Sequence, residues 1–120
     1  MQPVLDKQGL PEEALKEFRL SLAIEPNQAQ AHFKIGRILT QTHHLPEAGE
    51  EFTQALHFDP SKANTHNDLG VALYQLGEYE KAAEQFSDAV QLDPSFADAR
   101  RNLDAVQVLL KNKKSQQATK

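Results

Sequence analysis

The chain has 120 residues, 39% hydrophobic and 25% charged, with a formal net charge of −4 and no cysteine. That describes one domain or a piece of one, and it excludes disulfides, thiolate metal sites and thiol catalysis. No apolar run approaches the roughly 18 residues a membrane span needs, and nothing at the N-terminus resembles a signal peptide. A cytoplasmic location is expected, with the periplasm left open.

In chain order, Met1 to Gln8 reads as the end of a helix, with Pro3 as its start and Val4 and Leu5 as its apolar residues. A second helix carries Ala14, Phe18, Ser21 and Leu22 at i, i+4, i+7, i+8. This is the spacing of one helical face. Pro26 then marks a turn. The next helix presents His32, Ile35, Gly36 and Leu39, and the following one Ala48, Phe52 and Ala55. After Pro60 the pattern returns as His66, Leu69, Gly70 and Leu73, then Ala82, Phe86 and Ala89, closed by Pro94. Phe96, Ala99, Leu103, Val106 and Leu110 form the stripe of a last helix, and KNKKSQQATK after it reads as a frayed tail.

The order is periodic. Pro26, Pro60 and Pro94 stand 34 residues apart, each preceded by an acidic residue, and the Ala14/48/82 and Phe18/52/86 columns keep the same step. Asn27, Ser61 and Ser95 follow the prolines and are expected to cap the next helices, with Gln30, Asn64 and Asp98 three positions on. Gly77 is expected to end one helix in the left-handed conformation, with His43 in the equivalent slot one unit earlier. Each unit is therefore helix A, tight turn, helix B, proline turn. The expected divisions are a partial first unit over 1–28, full units over 29–62 and 63–96, a solubilising cap helix over 97–112, and a disordered basic tail over 113–120. The last helix is not a further unit, because Asp104 and Gln107 stand where the others have Gly and Leu.

The segment LGVALYQLGEYEKAAEQFSDAVQLDP resembles a tetratricopeptide repeat, with Leu69, Gly70, Gly77, Tyr79, Ala82, Phe86, Ala89 and Pro94 on the signature positions. The likeness extends one unit earlier and covers nearly the whole chain to about Leu110. Two departures stand out. His32 and His66 replace the family's bulky aromatic near the start of helix A, and His43 replaces the turn glycine. The resemblance implies an all-α, right-handed superhelix of antiparallel helix pairs. It also implies a concave groove, lined by helices A, that holds a peptide or partner helix.

Little in the sequence supports chemistry. No His pair lies at i, i+4 with a carboxylate partner, so no metal or cofactor is expected, and the outer acidic pairs Glu12-Glu13 and Glu50-Glu51 suggest no cleft. There is no G-x-S-x-G and no glycine-rich phosphate loop. The expectation is a non-catalytic interaction scaffold. Residues 100–120 carry +5 and the remainder −9, so the acidic body disfavours nucleic acid as the main ligand.

The groove-facing candidates are Gln30, Phe33, Lys34 and Arg37 in one repeat, Asn64, Asn67, Asp68 and Val71 in the next, and Arg101 and Asn102 on the cap helix. Lysine and arginine suit carboxylates, asparagine suits a peptide backbone, and Phe33 would be an apolar anchor. A polar or acidic protein segment is the expected partner. Some family members clamp a chaperone's C-terminal carboxylate with Lys, Asn and Arg. Those positions here hold Phe33, Arg37, Asp68, Asp98 and Asn102, and none matches. Two alternatives to a scaffold are a homo-oligomer assembled through the N-terminal half-repeat and a docking arm of a larger enzyme such as a glycosyltransferase. The chain itself reads as the C-terminal array of a longer protein.

Overall fold

The computed structural model describes residues 3–118 and contains six helices: α1 Pro3–Ile24, α2 Ala29–Gln41, α3 Leu45–Phe58, α4 Ala63–Gln75, α5 Tyr79–Leu92 and α6 Ala97–Ala118. Among the described residues there is no strand. Each helix packs chiefly on its neighbours in sequence, which makes an elongated stack of 55 × 32 × 26 Å.

The stack is held by aromatic rings lying on glycines. Phe52 of α3 and Phe86 of α5 are fully buried. An added Cβ on Gly36 would meet the Phe52 ring at 2.7 Å, and one on Gly70 would meet the Phe86 ring at 2.5 Å. Only glycine lets helix A come so close to helix B. Ile35, Leu39, Ala48 and Phe52 continue the core across to Leu69 and Ala72 of α4, and Phe86 shares its core with Ala82 and with Val106 of α6. Neighbouring pairs thus bury one another's faces, as a repeat array must.

Both A-to-B turns are Schellman caps. His44 N–H donates to the Leu39 carbonyl (2.8 Å) and His43 N–H to that of Thr40 (3.1 Å), and Glu78 and Gly77 bond Leu73 and Tyr74 in the same way (2.9 and 3.0 Å). The left-handed residue is Gly77 in one turn (φ 84°) and His43 in the other (φ 64°). A side chain is strained there, so His43→Gly is expected to raise stability by about 1 kcal/mol, read as a higher denaturant midpoint.

The B-to-A turns differ from expectation. Ser61 and Ser95 do not cap α4 and α6. Instead the Asp59 carboxylate accepts from Ser61 N–H (3.2 Å) and Oγ–H (2.7 Å), and Asp93 does the same with Ser95. The acidic residue two positions upstream outcompetes the helix end for the hydroxyl, and the bonds from Ser61 hold the Asp59 carboxyl below its ordinary value. In the first such turn Gln28 takes over, donating to the carbonyls of Ser21 and Glu25. The two histidines of the A helices close these turns. His32 Nε2 lies 3.0 Å from the Pro26 carbonyl oxygen and His66 Nε2 2.9 Å from that of Pro60, while Arg100 donates to Pro94 at 3.1 Å. A ring nitrogen that ties down the turn carbonyl accounts for histidine in the aromatic's place.

Both ends depart from the expected divisions. α1 is one continuous helix through Pro11, not the end of a helix A followed by a helix B. At the other end α6 continues to Ala118, so residues 113–118 are helical rather than a disordered tail, and 119–120 lie outside the described residues.

Candidate interaction surface

Among the described residues the backbones of α2 and α4, and of α4 and α6, come close, whereas those of α1, α3 and α5 do not approach one another. The A helices are therefore on the inside of the bend and the B helices are splayed along the outside. The inner wall carries the candidate residues, because each A helix buries its Ile35 or Leu69 stripe against helix B and turns the opposite side inward.

Two clefts lie between α2 and α4. One, of about 190 Å³, is bordered by Gln30, Phe33, Lys62, Asn64 and Thr65. The other, of about 130 Å³, is bordered by Arg37, Thr40, Gln41, Asp68 and Val71. Between them Arg37 is the organising group. Its guanidinium sits 5.7 Å above the Phe33 ring, and its Nε lies 3.8 Å from Asp68 Oδ2. Phe33 in turn packs against Phe52 at 5.9 Å between ring centres. It is a half-buried shelf under Arg37 rather than a free anchor. Lys34 is exposed and has no ion-pair partner among the described residues.

The other candidates are placed less openly. Asn67 is only 7% exposed, and its Oδ1 accepts from Asn102 Nδ2 at 3.0 Å, so these two amides join α4 to α6. Val71 packs against the core around Phe86. Arg101 pairs with Asp98 on its own helix. Thr40, Gln41 and Lys62 border the clefts and were not among the candidates. For Thr40 and Gln41, the i+3 and i+4 spacing from Arg37 is the signal that could have found them.

Burial raises the Asp68 carboxyl above its usual value, and Arg37 offsets only part of that. The folded state then holds the proton more tightly than the unfolded chain, so ionising Asp68 costs stability, and the cost disappears as pH falls through the folded value to the unfolded one. Asp68→Asn is accordingly expected to match or exceed the wild type at neutral pH. Urea titrations should show its advantage shrinking towards about pH 4. An advantage independent of pH would contradict this.

Among the described residues no three His, Cys, Asp or Glu side chains converge as metal ligands, and no helix is long and apolar enough to cross a membrane. What the geometry defines is a helical-hairpin repeat protein with a curved inner wall. The chain belongs to the TPR repeat family, whose model matches residues 36–77 and 71–110. No curated protein matches it significantly. Among solved structures it is similar to MamA, at 20% identity and a TM-score of 0.78 over 83% of this chain and 55% of that one. It is also similar to the first TPR of Spaghetti (RPAP3) bound to the HSP90 peptide SRMEEVD, at 18% identity and 0.83 over 88% and 83%. YrrB, a TPR protein with an unusual peptide-binding site, aligns at 28% identity and a TM-score of 0.72 over 82% of this chain and 50% of that one. The chain thus spans about half the length of MamA and of YrrB in these alignments.

Proposed function

We propose that this chain is a non-catalytic interaction module that holds an extended peptide or a partner helix against its inner wall. The observation that carries the reading is the pair of clefts between α2 and α4 with Arg37 between them, on the side towards which the array bends. Gln30, Phe33, Lys34, Arg37 and Asn64 supply the contacts, and the exposed Lys34 with the half-exposed Arg37 favours a ligand bearing carboxylates. Asp68 competes with such a ligand for Arg37. Asn67, Val71 and Asn102 shape the wall from beneath, and Arg101 extends it on α6. Two similar TPR structures, one bound to an HSP90 peptide and one with a peptide-binding site, support the same use of this fold.

The test is affinity capture with the wild type against the double reversal K34E/R37E, both checked for helicity. Partners retained by the wild type are expected to be lost from the variant, and identical retained sets would defeat the assignment. A second reading, homo-oligomerisation through α1, is favoured by Leu20 and Ile24, which are 62% and 82% exposed. Under that reading K34E/R37E changes nothing, and Leu20→Glu dissociates the oligomer.

A further inference from the structure

The outside of the bend carries a larger recess than the inside. Because α3 and α5 splay apart, a groove of about 650 Å³ opens between them, floored by Leu69 and Leu73 of α4 and by Leu76 just after it. Its size is within the roughly 300–1,000 Å³ of ordinary ligand sites. Glu50 stands on one wall and Glu78 and Glu84 on the other, with Lys81 the single lining cation, paired with Glu78 at 3.2 Å. Glu47 adds to the acidity of α3, whereas Glu80 of α5 faces α6 instead. Among the described residues no cation lies within 4 Å of Glu47, Glu50, Glu80 or Glu84. The groove is thus apolar below and negative at the rim.

The chain also holds the matching piece. α6 has 22 residues against 13 or 14 in α2 to α5, which makes it about 33 Å long at 1.5 Å per residue. Its far end carries Lys111, Lys113 and Lys114, all exposed; Lys113 and Lys114 border a small recess with Glu80 of α5 but come within 4 Å of no carboxylate among the described residues, and Val108 nearby is 57% exposed. Within one copy α6 packs on α4 and α5 and does not reach α3, so it cannot fill this groove itself.

We propose that the outer groove between α3 and α5 receives the basic end of α6 from a second copy of the chain. Val108 turns towards the leucine floor, and the lysines meet Glu50 and Glu84. Groove and tail are different patches, so the contact is head-to-tail and can propagate beyond a dimer. It is electrostatic at its rim and therefore weakens with salt.

Sedimentation velocity on the full chain tests this. The mass of the wild type is expected to grow with concentration in low salt, past the dimer, and to fall back to the monomer at about 0.5 M salt, where charges are screened within a few ångströms. E50K/E84K and K113E/K114E, each altering exposed residues only, are each expected to stay monomeric. Mixing the two should restore association, since each then presents a complement to the other. A wild type that stays monomeric at every concentration in low salt overturns the proposal, leaving the groove for some other basic helix. Variants that associate as the wild type does overturn it too, and place the contact elsewhere, such as on α1.

Discussion

Gly70→Leu is expected to destabilise the chain by about 3 kcal/mol or more, and even Gly70→Ala by about 1 kcal/mol. On an exposed helix the alanine change would help, because glycine gives up about 1 kcal/mol of helix propensity relative to alanine. Here the new Cβ would sit 2.5 Å from Phe86 Cε1 and 2.7 Å from Cδ1, and the ring is 2% exposed with nowhere to swing. Overpacking therefore outweighs propensity. Gly49 is the internal control: its nearest neighbour is the Leu69 Cδ1 at 3.9 Å. Gly49→Ala is expected to stabilise by about 0.5–1 kcal/mol. Urea midpoints moving in opposite directions for the two alanine variants would support the packing account, and midpoints moving together would refute it.

Phe86→Ala is expected to cost about 3–5 kcal/mol, the range for emptying a buried aromatic site. A domain of this size has only about 5–15 kcal/mol in total, so the change removes a large share of the array's stability. The damage should be uneven. Phe86 binds α5 to Gly70 of α4 and to Val106 of α6, while the α2–α3 pair has its own ring, Phe52, on its own glycine. Because stacking energies are nearest-neighbour terms, amide exchange should accelerate first in α4, α5 and α6 and later in α2 and α3. Uniform acceleration, or a loss below about 1 kcal/mol, would mean that the ring is not a structural centre.

The period of 34 made most of this architecture legible, since glycine, alanine and phenylalanine columns state which residues face which helix. It was weakest where a column says nothing about competition. The serine after each proline has the right position for a cap, yet Asp59 and Asp93 hold it instead. The sequence reads as one helix ending at Gln8 and a second carrying Ala14, but α1 is continuous through Gly9 and Pro11. The lysine-rich segment at the C-terminus looked like a tail by composition and continues as helix, since it follows a helix already nucleated on α5.

The inner wall was legible as a face and not as a surface. Repeat register places Asn67 and Val71 beside Phe33 and Arg37, but it does not say how closely α4 and α6 approach. That approach buries Asn67 against Asn102. The His32 and His66 columns likewise read as packing, and the ring nitrogens turn out to hold the proline carbonyls of the preceding turns.

The claim beneath all of this is that helix pairs lock by a ring seated on a glycine, which sets the bend and so exposes the inner wall. A double-mutant cycle between Gly70→Ala and Phe86→Leu measures that lock directly. The expected result is a coupling of about 1 kcal/mol or more, because the smaller side chain makes room for the added methyl and the double variant recovers part of what each single change loses. Strict additivity of the two losses would contradict it.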